Sequence, residues 1–301
     1  MNDRNTTASP GPKRSCFGCL GRLFLWSFTL LCVGVVVLLL SFLLLPPFGQ
    51  QHSARVLLLG LDKAEEGTQR SDTIIVCVSR LNDGSTTLIS IPRDSRIHIP
   101  GYQGYRKINA TYTLGREALI RKTLAQPALL HADLPYYVVL DSDTTRAVVD
   151  AMGGVEVTVP VRMKYDDNWG GLHIDLHPGK QLLNGKQAVG FLRWRKNNHG
   201  VHGPGGDDIK RGERQRELLH AMITKLRGWP GCLKGPDAYR AFRAHARTNI
   251  KDYRQFLLLA WSAREMHSEA LPSDPHTHAG ISYVDCDWRQ GREMWRAALG
   301  E

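Results

Sequence analysis

Aspartate and arginine side chains are concentrated at several predicted strand and helix ends of this chain. These segments are residues 59–62 (LGLD), 70–73 (RSDT), 92–94 (PRD), 193–195 (RWR) and 207–215 (DDIKRGERQ). Functional side chains of α/β sheets collect in such loops at strand ends. Carboxylates are ligands that Mg²⁺ prefers, and arginines bind phosphate through two parallel hydrogen bonds. The combination predicts a metal–diphosphate site.

Surface ion pairs are the simpler explanation of each segment taken alone, because such pairs are common and contribute little to stability. Arg193 and Arg195 argue against it here, since residues two positions apart do not share a helix face. We therefore expect a helix end whose arginines converge on an anion.

Other catalytic motifs are absent from the sequence. It contains no G-x-S-x-G, no H-E-x-x-H and no P-loop. His173 and His177 lie in a strand-like stretch, which makes convergence on a metal unfavourable. The remaining candidate histidines are predicted to lie in solvated loops; they are His199, His202, His276 and His278.

The elements that must position these side chains alternate between strands and helices. Apolar runs predict strands at 55–60, 73–79, 86–91, 136–140 and 155–159, and a hairpin over 163–176. Helical spacing predicts helices at 109–126, 144–152, 184–194, 213–226, 238–247 and 253–266, with Gly115 a weak point and 197–206 a flexible loop. This order predicts a single α/β domain, an α-β-α sandwich around a central mixed sheet.

An uncharged apolar run, LFLWSFTLLCVGVVVLLLSFLLL, occupies residues 23–45. It exceeds the length of a signal-peptide core and lacks a cleavage site, so it predicts a transmembrane helix that is retained. The tail 1–22 has four basic residues against one acidic residue. By the positive-inside rule this tail is cytoplasmic, and a linker (46–54) leads to an extracytoplasmic domain (55–301).

The composition is that of a globular protein, which excludes wholesale disorder. The 301 residues carry a formal charge of +10, and the part beyond residue 22 has 35 basic against 28 acidic residues. A basic domain next to a membrane suits an anionic ligand or lipid surface, and the predicted topology argues against nucleic acid. Six cysteines are too few for a disulfide framework. Cys77 is predicted to be a buried thiol. A disulfide between Cys232 and Cys286 is an alternative that the sequence leaves undecided.

The ordered set of motifs resembles the LytR-CpsA-Psr family of bacterial cell-envelope proteins. The segments that carry the resemblance are LLLGLD (57–62), RSDTIIV (70–76), SIPRDSRIHIPG (90–101), KINATY (107–112), YYVVLD (136–141), VVDAMGGVEVTVP (148–160), HPGKQLLNGKQAVGFLRWR (177–195) and DDIKRGERQ (207–215). Each is weak by itself, and their common order is specific. The sequence departs from the family at Lys210 and Arg216, and the loop after Asn197 is long.

The resemblance implies an envelope phosphotransferase at the bacterial cytoplasmic membrane. Such proteins take a glycopolymer phosphate from a polyprenyl-diphosphate carrier and attach it to peptidoglycan, assisted by Mg²⁺ or Mn²⁺. The resemblance assigns metal binding to Asp62 and Asp72, and catalytic roles to Arg70, Arg93 and Asp94. Substrate contacts fall to Arg70, Arg93, Lys107, Asn109, Arg193, Arg195, Arg211, Arg214 and Gln215. A polyprenyl-diphosphate hydrolase and a non-catalytic envelope regulator that binds the lipid carrier are the alternatives.

Overall fold

The computed structural model describes residues 26–37, 52–61, 69–168, 171–198, 208–228 and 231–301; of residues 208–211, 231 and 232 it describes only the backbone. The chain divides into two compact units, Met1–Gly49 and Gln50–Glu301. In the first, residues 26–37 form helix α1. No helix among the described residues is long and apolar enough to cross a bilayer. The predicted span 23–45 lies partly outside those residues and stays a prediction, as do the tail and the linker.

The second unit contains strands and helices in alternation. The strands are β1 (Ser53–Leu61), β2 (Ser71–Arg80), β3 (Ser85–Ile91), β4 (Arg96–His98), β5 (Tyr105–Lys107), β6 (Tyr136–Leu140), β7 (Val155–Val159), β8 (Met163–Asp167), β9 (Leu172–Leu176), β10 (Gly179–Leu183), β11 (Arg247–Thr248), β12 (Glu265–Ala270), β13 (Ser273–His278) and β14 (Ile281–Cys286). The helices are α2 (Ala110–Leu124), α3 (Ser142–Ala151), α4 (Gly185–Arg193), α5 (Asp208–Arg227), α6 (Gly235–His245), α7 (Tyr253–Ser262) and α8 (Trp288–Leu299).

A six-stranded mixed sheet with the order β11-β6-β1-β2-β3-β12 forms the centre of this unit. Strands β1, β2 and β3 are antiparallel neighbours, whereas β6 runs parallel to β1 and β12 runs parallel to β3. The central strands are rich in Val, Ile and Leu because both of their faces are buried. The predicted mixed sheet is confirmed.

Successive residues of each central strand point into two separate cores. On one face, Val56 and Ile75 pack with side chains of helices α3–α7, for example Phe191 and Leu218. On the other face, the core contains Leu57 and Val76, together with residues of α2 and α8. The sheet is thus covered by helices on both sides, which is the predicted α-β-α sandwich.

Several local predictions hold, among them the hairpin of β8 and β9 and the weak point in α2. Gly115 and Arg116 leave helical backbone geometry and kink this helix. Two predictions for the part of the chain after residue 253 are wrong. The helix predicted over 253–266 ends at Ser262, because the next residues turn and join the sheet as β12. His276 and His278 lie in β13 and not in a loop.

Candidate functional site

A cavity of about 260 Å³ lies between the sheet and the helices α3–α7. Its walls are aliphatic and aromatic side chains, for example Leu58, Val148, Leu218 and Phe256. Polar groups also line it, and those predicted to form the site are Asp72, Arg193 and Gln215. The cavity therefore combines an apolar interior with a small set of groups that can bind an anion or a cation.

A chain of ion pairs extends from this cavity to the β4–β5 hairpin. Arg93 Nη1 lies 3.2 Å from Asp72 Oδ1, and Arg93 Nε lies 3.5 Å from Asp94 Oδ2. Lys107 Nζ continues the chain at 2.8 Å from Asp94 Oδ1. These four side chains are each 14–29% exposed, so they remain within reach of a ligand. The structure thus unites four predicted site residues that come from three separate sequence motifs.

The loop after β3 is fixed by backbone hydrogen bonds as well. The amide of Asn109, which is buried, donates to the carbonyl of Arg93 at 3.1 Å, and the amide of Ile108 donates to the carbonyl of Ser95 at 2.9 Å. No side-chain cap from Asn109 to helix α2 is formed. Asn109 therefore holds the Arg93 segment in place through its backbone, and a ligand contact by its side chain stays a prediction.

Helix α4 carries Arg193 to the cavity in its last turn. The helix begins with a capping box in which Asn184 and Gln187 satisfy each other's backbone amides. Gly185 is required at its start, since a Cβ there would lie 2.7 Å from Asp150 Oδ2 on helix α3. The beginning of the helix is therefore fixed against α3, and its end presents the arginine.

Arg70, Arg193 and Arg195 have no carboxylate within ion-pair distance among the residues that the structure describes. Arg70 and Arg195 are exposed, and Arg193 is half-buried. Guanidinium groups without an acidic partner are available to bind an added anion, and a diphosphate matches their planar donor geometry.

Arg214 and Gln215 are neighbours on helix α5 and have different surroundings. Gln215 lines the cavity, as predicted. Arg214 is 4% exposed, and its Nε donates to the carbonyl of Phe191 at 3.1 Å. Its Nη2 donates to the carbonyl of Trp194 at 2.7 Å. The structure thus gives Arg214 a role in holding the end of α4, and the predicted contact with substrate stays untested.

The segment after α4 is pinned to strand β8 by two asparagine side chains. Asn197 Oδ1 accepts from the amide of Lys164 at 2.7 Å, and Asn198 Oδ1 accepts from the amide of Asp166 at 2.7 Å. Asn197 Oδ1 also accepts from Trp194 Nε1 at 3.0 Å. Residues 197 and 198 lie in the predicted loop and are anchored to β8 by their side chains, while 199–207 lie outside the described part of the chain. Asparagine side chains can accept from backbone amides. The consecutive asparagines Asn197 and Asn198 were therefore the signal in the sequence for a segment anchored to a strand.

Two predicted site residues cannot be placed. Asp62 and the side chain of Arg211 lie outside the described residues. Within the described part of the chain, no group of three or more His, Cys, Asp or Glu side chains is arranged to hold a metal ion. Asp72 nevertheless fits a magnesium site, because Mg²⁺ needs only one or two protein carboxylates beside substrate phosphate.

Two further features of the cavity bear on chemistry. Cys77 is buried against the cavity, and burial raises the pKa of its thiol to about 12, so it is not a nucleophile at neutral pH. Ser142 and Thr145 line the same cavity from the start of α3, which Asp141 caps by accepting from the amide of Thr144 at 2.8 Å. The sequence analysis did not single out these two hydroxyl groups.

Comparison with known proteins identifies the family of this chain. The chain belongs to the LytR_cpsA_psr family, whose sequence profile matches residues 47–298. The regulatory protein MsrR of Staphylococcus aureus is 32% identical over 206 residues, which are 68% of this chain and 59% of that protein. This chain therefore spans less than two thirds of that relative. A protein of Enterococcus faecalis named polyisoprenyl-teichoic acid–peptidoglycan teichoic acid transferase TagU is 33% identical over 77% of this chain and 74% of its own length.

Solved structures share the fold. Bacillus subtilis TagV has a TM-score of 0.69 at 23% identity and covers 83% of this chain and 98% of its own. A structure described as TagT bound to LIIa-WTA has a TM-score of 0.65 at 24% identity and covers 85% of this chain and 93% of its own. At these identities the likeness shows the α/β fold with its central mixed sheet.

Proposed function

We propose that this protein is a membrane-anchored phosphotransferase that moves a glycopolymer phosphate from a polyprenyl-diphosphate carrier onto peptidoglycan. The observation that carries the proposal is the apolar cavity whose polar groups include Asp72, Arg193 and Gln215. A polyprenyl diphosphate has the same division, a long apolar chain joined to a doubly charged head.

Each part of the site has a task in this reaction. The cavity shelters the prenyl chain, and each methylene buried there contributes about 0.8 kcal/mol. Arg70, Arg193 and Arg195 bind the diphosphate oxygens, and Arg93, held by Asp72 and Asp94, orients a further donor pair toward them. In phosphoryl transfer, positioning and electrostatic stabilisation provide most of the catalysis.

Magnesium fits this proposal through the carboxylates of Asp72 and Asp62. The ion would neutralise the diphosphate charge when it is bound. Lys107 forms an ion pair with Asp94, so Asp94 serves mainly to hold Arg93 and Lys107 in position. Manganese has the same preference for oxygen ligands.

The names of the relatives support the same assignment. TagU is named for transfer of teichoic acid to peptidoglycan, and the TagT structure is described as bound to LIIa-WTA. MsrR is named a regulatory protein, which keeps a non-catalytic role as the second candidate.

The test uses the full chain in detergent with a polyprenyl-diphosphate-linked glycan, soluble peptidoglycan and Mg²⁺. Glycan that becomes covalently attached to peptidoglycan supports the proposal. Glycan phosphate released into water at the same rate with and without acceptor indicates a hydrolase. Tight binding without either product indicates a regulator, and absence of binding overturns the proposal altogether.

The proposed location is the bacterial cytoplasmic membrane, with the domain 55–301 outside. Protease added to intact spheroplasts should then digest this domain and leave a small anchored fragment. Complete protection of the domain would overturn both the location and the envelope function.

A further inference from the structure

One face of the β4–β5 hairpin displays an aromatic ring among basic side chains. The register pairs Arg96 with Lys107 and His98 with Tyr105, so these four side chains lie on the same face. Ile97, on the other face, is buried in the core next to α2 and α8. The face that carries Tyr105 is therefore directed away from that core.

The Tyr105 ring is exposed and is held by its neighbours. Half of the residue is exposed (50%), the Arg96 guanidinium carbon lies 3.9 Å from the ring centroid, and the His98 ring centroid lies 4.0 Å away. At the tip of the hairpin, Tyr102 is 37% exposed and lies 5.7 Å from the Arg106 guanidinium. These contacts restrict the two rings before a ligand arrives, which lowers the entropy cost of binding.

The hairpin carries an uncompensated positive charge. Residues 96–107 include Arg96, Arg106 and Lys107 and contain no acidic residue. Within the described part of the chain, neither Arg96 nor Arg106 has a carboxylate at ion-pair distance. An anionic ligand is the complementary partner for such a surface.

The hairpin is connected to the candidate site by the ion-pair chain and lies on the far side of that chain from the cavity. Lys107 contacts Asp94 at 2.8 Å, and its Nζ also lies 5.9 Å from the ring of Tyr283 on β14. The cavity belongs to the helical layer of α3–α7, whereas the hairpin packs with the opposite layer through Ile97. A ligand on this hairpin would thus approach the reacting phosphorus from the side opposite the lipid.

We propose that the exposed surface of this hairpin binds the acceptor, a saccharide chain that bears carboxylates. Arg96, His98 and Tyr105 contribute from one face, and Arg106, which projects from the opposite face, contributes beside Tyr102. This inference rests on the proposed transferase function and adds the acceptor subsite to it. Tyrosine faces pack against the apolar face of a sugar ring, and the two guanidinium groups pair with carboxylates of the same chain.

In-line transfer requires the acceptor to approach the phosphorus from the side on which the hairpin lies. The acceptor hydroxyl oxygen forms a bond to the glycan-bearing phosphorus, and the bond from that phosphorus to the bridging oxygen breaks. Polyprenyl phosphate leaves with the electron pair and takes up the hydroxyl proton. Since the entering and leaving oxygens lie in line, a leaving group whose chain lies in the cavity places the entering hydroxyl toward the hairpin.

The experiment compares the full-length wild type with Tyr105→Ala, Tyr105→Phe and Arg106→Gln, and with Trp261→Ala as a control. Trp261 is also exposed (55%), lies on α7 and does not line the cavity. The measurements are the KM for soluble peptidoglycan oligosaccharide, the Kd of the lipid-linked donor and the melting temperature. We expect Tyr105→Ala to raise the acceptor KM about tenfold, as for the loss of one aromatic stacking contact. Tyr105→Phe and Trp261→Ala should keep the wild-type KM, and donor Kd should be unchanged in all variants.

Arg106→Gln is the second variant, because Arg106 is exposed and we expect its replacement to leave the core intact. It should raise the acceptor KM and reduce the dependence of that KM on salt.

An unchanged KM in both Tyr105→Ala and Arg106→Gln would overturn the acceptor subsite while the transferase function stands. Weakened donor binding at constant acceptor KM would assign the face to the donor glycan and overturn the proposal. A variant that no longer binds anionic vesicles but keeps the wild-type acceptor KM would assign the face to a lipid surface and would also overturn the proposal. Failure of the wild type to transfer glycan would instead overturn the proposed function.

Discussion

Arg214 donates from its Nη2 to the backbone carbonyl of Trp194 at 2.7 Å, and this contact fixes the residue that follows Arg193. A second bond, from Nε to the carbonyl of Phe191, holds the preceding turn at 3.1 Å. These carbonyls belong to the C-terminal end of α4, where a cation also interacts favourably with the helix dipole. Arg214 therefore sets the direction in which Arg193 enters the cavity mouth.

Replacing Arg214 should destabilise the protein and disturb the position of Arg193. Arg214→Gln removes two hydrogen bonds from a buried charged donor, each worth about 1.5–3 kcal/mol. We expect the free energy of unfolding to fall by about 3 kcal/mol or more in urea denaturation. Arg195→Gln, at an exposed position in the same segment, should change it by less than about 0.5 kcal/mol. Equal stability of the two variants would show that Arg214 does not hold the helix end.

The ion pair of Arg93 with Asp72 leads to a second prediction. Arg93→Lys keeps the charge and loses the planar fork that reaches Asp72 and Asp94 together. Transfer should fall at least about tenfold, although the net charge is the same. Lys122→Arg, a change of cation on helix α2, is the control and should leave the rate unchanged. An unfolded Arg93→Lys protein would assign Arg93 to fold stability instead.

Asp72→Ala separates the proposed metal from the lipid. Turnover should be abolished, and added Mg²⁺ should not restore it, because the coordinating oxygen is gone. Lipid should still bind, since the apolar cavity and Arg193 remain. The measurements are glycan transfer over a Mg²⁺ titration and lipid affinity of the same preparation. Transfer at the wild-type rate would return Asp72 to the role of a structural partner of Arg93.

The central strands and the cavity helices could be predicted because their residue types and the spacing of their apolar residues reflect how each element is buried. β2 is a run of β-branched residues, and α4 has apolar residues at helical spacing. The role of Arg214 could not be predicted from its motif. It adjoins Gln215, but consecutive residues of a helix point about 100° apart, so one faces the cavity and the other faces α4.

Strand β12 illustrates why the strands that follow helix α7 could not be predicted from the sequence. Most of its side chains are exposed, so EMHSEA shows no apolar alternation. The strand exists because its backbone pairs with the edge of β3, from Glu265 opposite Ser85 to Ala270 opposite Ser90. Such pairing depends on a partner 180 residues earlier in the chain, which a local pattern does not report.

Filling the cavity should weaken lipid binding in proportion to chain length. Ala260 is buried on α7 and lines the cavity, so Ala260→Phe places a ring in the space proposed for the prenyl chain. Affinity for a long-chain polyprenyl diphosphate should drop at least about tenfold, while a short-chain diphosphate should lose much less. Ala297→Phe, on the exposed side of α8, is the matched control. Equal losses for both chain lengths would contradict a lipid-binding cavity.

Acid should loosen the helix that forms one wall of this cavity. Asp252 caps α7, and the Arg254 side chain, helped by the Arg254 backbone amide, lowers the pKa of the Asp252 carboxyl below its ordinary value of 3.8. A carboxylate with a lowered pKa in the folded state stabilises the protein above its ordinary pKa, and this contribution disappears as the pH falls through the folded value. The melting temperature of the wild type should therefore exceed that of Asp252→Asn at about pH 7, and the difference should shrink below about pH 4. Asp274→Asn, at an exposed strand position, is the control and should show little difference at either pH. Because α7 contributes Phe256, Leu259 and Ala260 to the cavity, lipid affinity should fall with the same pH profile in the wild type. A difference in melting temperature that persists unchanged at about pH 3 would show that the Asp252–Arg254 pair is not the origin of the stabilisation.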